Sequence, residues 1–300
     1  MTRSDFHSLM KEGLNTVFGM EYDEYPEEYS QVFETKKSKK AQEEDALIVG
    51  FGPANEKNEG GTPGYQKGFE AWTARYIHDE VSVAFDVTEV AIEDNNYFEM
   101  GEKYSRASAR SMRETKEIKC ISILNNGFNV NHKGGDGKPL FANDHPLAGG
   151  GTMTNVMDNA DFSEKSLEEM LIMIRTTKDD RGLPVAIRAK DVVLPPHEEY
   201  NGYRILQSTG RVGTSDNDAN AIKGKGIFTR DPVIMTRLTD ADAWFVTTTA
   251  NDGLKYYQRI PLQKRTWTDP KTGNHNKLFR ERYSAGFTDP RGAFGSRGNT

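Results

Sequence analysis

Apolar positions along the chain follow two periods, and the change from one to the other marks the elements. Val81, Val83, Phe85 and Val87 alternate strictly with polar residues, which predicts a half-buried strand within 78–88. Phe6, Leu9, Met10, Leu14, Val17 and Phe18 recur every three or four residues and predict a short amphipathic helix. The strongest helix falls within 93–126, where about 28 residues would span ~42 Å. Its seam is Tyr97, Met100, Tyr104, Ala107, Ser111, Thr115, Ile118, Ile121 and Leu124, with Gly127 as the C-terminal cap. Small residues along that seam suit packing of a spine-like helix on a flat sheet. Ser163 is a good N-cap for a helix running through Leu167, Met170, Leu171 and Ile174 to about Asp180, with Gly182 closing it. Asp191-Val192-Val193-Leu194 reads as a buried strand stopped by Pro195-Pro196, and a helix over 198–207 follows. Short strands are expected over 232–238 and 243–249. A long hairpin then runs through 254–268 and 277–287 around the turn at 269–274.

The segments between these elements are polar. Residues 1–46 read as an arm, with an acidic block at 21–28 and a basic block at 36–40. Such blocks form a solvated surface or a complementary strip that pairs with another subunit. Residues 47–88 read as a two-stranded excursion. The strand Ala46–Phe51 enters a run of turn-forming residues at 52–64, and the chain returns through Gly68–Trp72. A glycine-rich turn of that length cannot build its own core, so it is expected to project.

Composition narrows the class. The 300 residues allow one large or two ordinary domains, and 15 Phe, 12 Tyr and 3 Trp supply core anchors although only 35% of residues are hydrophobic. That balance suggests arms and loops that bury surface against neighbours. The longest apolar run, Met170 to Ile174, is far short of a membrane span, and the N-terminus lacks a charged-then-apolar signal segment. Cys120 is the single cysteine, so an intrachain disulfide and a cysteine-based zinc cluster are excluded. A soluble, intracellular, reducing setting is expected. The net charge of −6 argues against extended sequence-specific nucleic-acid contact and leaves room for a local basic face.

Three glycine clusters invite a phosphate-loop reading. In Gly134-Gly135-Asp136-Gly137-Lys138-Pro139, proline replaces the required Ser/Thr, and it offers neither hydroxyl nor amide. The clusters at 60–64 and 224–226 lack the strand–loop–helix context, so all three read as turns. His132, Asp136, Asp144 and His145 fall close together and raise a metal site, but without a His-Glu-x-x-His pattern. The alternative is that His145-Pro146 ends a structured turn with its imidazole bonded to backbone. There is no Gly-x-Ser-x-Gly elbow, and Cys120 on the flank of the long helix's seam reads as a small hydrophobe. The basic cluster at 36–40 and Arg280, Arg282, Arg291 and Arg297 suit solvated surface or subunit ion pairs. No catalytic, cofactor-binding or metal-binding residue is assigned, and the chain is not expected to be an enzyme.

The order of these parts resembles the major capsid proteins of tailed bacteriophages with the HK97-type fold, in particular the Mu-like major head subunit group. The resemblance spans about 45–290. It rests on Val87–Tyr97 leading into the long helix and on Leu124-Asn125-Asn126-Gly127-Phe128 closing it. It rests also on the Leu140-Phe141…His145-Pro146 loop followed by glycines and Asn155, on the 191–196 strand ending in proline, on 204–208 and on 238–245. The fold class implied is α+β, an HK97-like capsid fold with N-terminal arm (1–46), extended loop (47–88), peripheral domain (89–146 and 251–300, the spine helix and long C-terminal hairpin) and axial domain (147–250).

By that resemblance the chain self-assembles into pentamers and hexamers of an icosahedral shell enclosing phage double-stranded DNA. Its arm and extended loop would make the intersubunit contacts. Implied partners are further copies of itself, a separate scaffolding protein (the arm is too short for a built-in one), a portal, and DNA held by non-specific contact. No membrane partner and no cofactor are implied. The place implied is the virion capsid, assembled in the cytoplasm of the bacterial host. No lysine–asparagine crosslinking pair is identifiable. The alternative is an encapsulin-type nanocompartment shell, with a metal-dependent enzyme using the His132–His145 loop as a distant third.

Overall fold

In chain order the elements are α1 (Arg3–Glu24), β1 (Glu34–Lys37), β2 (Gln42–Val49), β3 (Phe69–Ile77), β4 (Asp79–Val87), α2 (Tyr97–Asn125), β5 (His145–Pro146), β6 (Thr152–Met153), α3 (Glu164–Thr176), β7 (Ala189–Leu194), α4 (Glu199–Gln207), α5 (Ala221–Gly224), β8 (Val233–Ile234), β9 (Trp244–Thr248), β10 (Leu254–Thr268), β11 (His275–Phe287) and β12 (Ala293–Ser296). The computed structural model describes residues 3–24, 26–90, 97–210 and 219–299, and the side chains of 3–12 and 97–99 stand outside that description. The expected contributions of Phe6, Leu9, Met10 and Tyr97, and the 91–96 part of the signature before the long helix, therefore lie outside the described residues.

The C-terminal hairpin organises the first sheet, whose order is β1-β10-β11-β4. β10 and β11 pair antiparallel from Leu254↔Phe287 to Thr268↔His275, as the sequence pattern predicted. β4 adds antiparallel to β11 and β1 adds parallel to β10. One face of this sheet is covered by α2 and α1, around Phe18, Ala109, Met112 and Phe279. Phe18 stacks on Phe279 at 3.8 Å between centroids. The second sheet, β12-β9-β7-β8, carries its own core with α3 and α4: Leu167, Met170, Ile174, Val192, Leu194 and Trp244. Ser163 caps α3 as predicted, its side chain accepting from Ser166 N–H.

Three expectations about strand membership and helix bounds need correction. β4 belongs to the first sheet, so the projecting hairpin is β2–β3 over 42–77 and not the whole of 47–88. β12, placed with the C-terminal hairpin on sequence, pairs with β9 in the second sheet. α3 stops at Thr176, four residues before Asp180, because the chain turns into a bridge between Lys178 and Pro184.

The buried stripe of α2 is Gly101, Ser105, Ala109, Met112, Lys116, Cys120 and Leu124, while Met100, Tyr104 and Ile118 are exposed. Over its first part the seam is turned by one residue, about 100°. The true stripe is small or charged there and therefore silent to an apolar period. Gly127 does follow the helix, but close packing requires it: a Cβ there would sit 2.6 Å from the Phe141 ring.

Candidate assembly surfaces

The β2–β3 hairpin is anchored chiefly at its base. Asp45 Oδ2 accepts from Lys255 Nζ and from Tyr257 OH, each at 2.6 Å. Burial alone would raise the Asp45 pKa, but these two bonds outweigh it and hold the carboxyl below its ordinary value. Trp72 Nε1 donates to Thr288 O at 3.1 Å, and Tyr76 OH bonds Thr288 Oγ1 at 2.6 Å. Further out, Arg181 stacks over Phe69 at 4.7 Å and donates to Lys67 O. Residues 50–68 form no strand, and Ile48, Phe51 and Tyr65 stand exposed, Tyr65 at 90%. Between residues 42 and 77 the hairpin carries six carboxylates against three cations.

Beyond the hairpin's base, the first sheet's other face is open. Glu80, Ser82, Ala84 and Asp86 on β4 are exposed. The register sets Arg280 and Arg282 beside Ser82 and Glu80, with Leu278, Arg265 and Trp267 continuing the same face. Arg280 reaches Glu80 only at 3.7 Å, and the Nε atoms of Arg259, Arg280 and Arg282 are buried without a hydrogen-bond partner. A half-desolvated guanidinium row of this kind suits a carboxylate or carbonyl ligand.

On the covered face, α1 is held by a buried polar cluster. Lys116 Nζ lies 2.7 Å from Glu281 Oε2, with the two side chains 3% and 1% exposed, and it also donates to Tyr22 OH. Arg113 donates to Tyr22 O, pairs with Glu27 and lies over the Tyr22 ring at 4.2 Å. Glu117 accepts from the backbone amides of Glu28 and Tyr29, each at 3.0 Å. Glu28 also pairs with Arg237 at 2.6 Å, and Lys36 with Glu34 at 3.2 Å. The acidic and basic blocks of the arm thus both make ion pairs within their own chain.

The His132–His145 loop does not converge on a metal. Among the described residues no group of three or more His, Cys, Asp or Glu could hold one. Asp144 pairs with Lys138. Asp136 Oδ2 and Asn155 Oδ1 engage the two nitrogens of buried His145 at 2.5 and 3.1 Å. The imidazole is therefore bonded to side chains, not to backbone as the turn reading had it. Asn155 Nδ2 donates to Leu140 O, Pro290 O and Ala293 O, which fixes its oxygen toward the histidine. Both ring nitrogens are thus engaged by side-chain oxygens.

His132 lines a cleft of about 430 Å³ between Arg75, Tyr76, Asn126 and Phe287. Gly60, Gly137 and Gly226 have positive φ, as turns require. Cys120 is fully buried, and burial pushes its thiol up. Arg291 is buried on Asp180 and Asp289, and Arg297 donates to Phe128 O. Lys116, Glu281, Asp45 and Lys255 escaped sequence reasoning because buried charges look like surface until their partners, up to 210 residues away, are known.

The sequence matches the family model for phage capsid protein over residues 81–295. A search of curated proteins returns no match. Among solved structures, the chain is similar to the capsid of an empty GTA particle, with 9% identity over 92% of this chain and 91% of that one and a TM-score of 0.57. It is similar to the Microbacterium phage Oxtober96 chain at 12% identity, covering 92% and 93%, with a TM-score of 0.53. A virus-like particle from Pyrococcus furiosus matches at 10% identity over 95% and 98%, also with 0.53.

Proposed function

Because the chain belongs to the phage capsid protein family and shares the HK97-like fold, we propose that its copies close into pentamers and hexamers of an icosahedral shell around packaged double-stranded DNA. The observation that carries this reading is the pairing of two surfaces. An acidic hairpin with exposed aromatic residues projects beyond its anchored base, and an arginine-rich sheet face of opposite charge lies open. In the assembled shell the hairpin lies over the neighbouring subunit. The first sheet with α2 forms the peripheral part of the capsomer, and the second sheet with α3 and α4 the axial part near its centre. Scaffolding protein, portal and DNA enter as separate partners, and the shell assembles in the host cytoplasm before becoming the virion. The Mu-like head group remains the branch this reading favours.

The Pyrococcus furiosus likeness extends to the fold alone, so the family match favours a phage shell over a nanocompartment. A metal-dependent enzyme has little to build on, since Asp136 and His145 are committed to each other and to Asn155.

Size-exclusion chromatography of the full chain followed by negative-stain electron microscopy tests assembly. Closed shells, tubes or five- and six-membered rings are expected. A 33.7 kDa monomer that stays monomeric under crowding and with its neighbouring phage proteins would overturn the reading. Nuclease-protected DNA inside particles separates a phage head from a shell that holds protein.

A further inference from the structure

His78 is the single residue between β3 and β4, so the chain leaves the projecting hairpin and enters the first sheet at this side chain. Its ring is 4% exposed. Nε2 lies 2.9 Å from Ser38 Oγ, in the segment joining β1 to β2, and Nδ1 lies 2.9 Å from Ser284 Oγ on β11. The imidazole thus ties the hairpin's exit to its entry and to the sheet behind both.

The hydrogen bonds around the ring fix its protons. Ser38 has one hydroxyl proton, and the carboxylate of Glu43, which can only accept, takes it at 2.7 Å. Ser38 Oγ must then accept from His78 Nε2–H. That leaves Nδ1 bare, and it accepts the hydroxyl of Ser284. Ser284, His78, Ser38 and Glu43 form one directional chain across the base of the hairpin, satisfied by one neutral tautomer.

Charged groups face the ring from each neighbouring element. Arg282 on β11 donates to His78 O at 3.2 Å, and Arg259 comes from β10. Glu43 on β2 is already paired with Lys40 at 3.4 Å, and Asp79 on β4 with Lys119 at 2.7 Å. The two arginines have buried, unpartnered Nε atoms. A proton on Nδ1 would force the Ser284 hydroxyl to turn and accept, and would set a third cation beside them at a ring only 4% exposed.

We propose that His78 is an acid-operated latch: the neutral ring holds the β2–β3 hairpin at a fixed angle to the first sheet, and the protonated ring releases it. Burial is the largest influence on the ring and holds its pKa below the ordinary value of 6.5, with Arg282 and Arg259 adding to it against the attraction of Glu43 and Asp79. A folded value below the unfolded one means the latch is whole above about pH 6.5 and weakens as pH falls below it. The latch stands on this chain's own geometry. Its use, swinging the hairpin within a shell, rests on the capsid reading.

Hydrogen exchange by mass spectrometry on the full-length, unassembled chain tests it, with protection factors compared across pH 7.5 to 5.5. Uptake of one proton changes an opening equilibrium by up to about tenfold per pH unit. Peptides covering 69–87 should therefore lose protection by up to about tenfold, while those covering β7 and β9 keep theirs. His78→Gln can donate to Ser38 but cannot take a proton, and should show no such loss. Equal protection of 69–87 across the range, the same loss in His78→Gln, or a loss spread over both sheets would each overturn the latch. A chain that never assembles would overturn the capsid reading while leaving the exchange result intact.

Discussion

Replacing Lys116 with methionine removes the cation bonded to Glu281 in the layer between α1, α2 and β11. The pair lies at 2.7 Å with both side chains under 4% exposed, so water cannot substitute for the lost ammonium. Burial is the largest influence on Glu281 and drives its pKa up, with Lys116 as the leading opposing charge. Removing one partner of a buried pair costs about 3–5 kcal/mol, because the remaining charge is left uncompensated. Tyr22 OH still reaches the carboxylate at 3.4 Å, a weak bond that keeps the cost toward ~3–4 kcal/mol. Removing both charges in Lys116→Met/Glu281→Met leaves an apolar patch. Its expected deficit is about 1 kcal/mol, chiefly from the Tyr22 hydroxyl losing both partners.

Urea unfolding of the unassembled chain, followed by circular dichroism, reads these values as a double-mutant cycle. The pH dependence is a second readout. In Lys116→Met the folded Glu281 binds its proton more tightly than the unfolded one. Its deficit should therefore shrink as pH falls from 8 toward 5. A single variant within about 1 kcal/mol of the native chain, or a double variant no better than the single, would refute the reasoning.

Asn155→Ala should cost about 3 kcal/mol or more, since it strands three carbonyls, the Ala142 amide and one nitrogen of His145; faster exchange in 293–296 would show β12 loosening with it. Lys277→Met should stabilise the chain at pH 7. Burial, with Lys264 nearby, pushes the Lys277 amine down to about 8, and its Nζ has no hydrogen-bond partner. A depressed amine destabilises the fold below its folded pKa, and that penalty fades as pH rises toward the unfolded value. With screening discounted the gain is about 1–2 kcal/mol, and the difference in melting temperature between variant and native chain should narrow by pH 9.5.

How much of this was legible in the sequence depended on how local the signal was. The β10–β11 hairpin was visible because alternation and the Asp269–Asn274 turn both lie within one stretch. The Ser163 cap was visible because its partner is three residues away. β4 alternates plainly, yet its membership of the first sheet depends on β11, nearly two hundred residues later, and no local pattern carries that. α2 misled because its inner stripe runs through Gly101, Ser105 and Ala109 and then Lys116, which meets Glu281 of β11, so it is too small or too charged to show an apolar period. The histidine loop reads as a structured turn in the sequence, and only the partners of its imidazole are hidden there. His145 and Asp136 do meet, but Asn155 completes the group and turns it into a structural tie between the loop and β12.

The order of strands in the sheets also sets a clock on synthesis. β4 waits for β11 and β1 waits for β10, while β9 finds β7 already made and gains β12 only at the end. A 300-residue chain takes about 15–60 s to translate, and for most of that time Val81, Val83 and Phe85 have no sheet to join. Pairing across such sequence distances is slow and leaves sticky edges in the meantime. A chain interrupted before β11 lacks the centre of the first sheet and the floor on which α1 and α2 rest. Such fragments cannot offer the surfaces that a complete subunit offers. The fold therefore screens its own synthesis: only a chain read through to its closing strands has a finished face with which to join others.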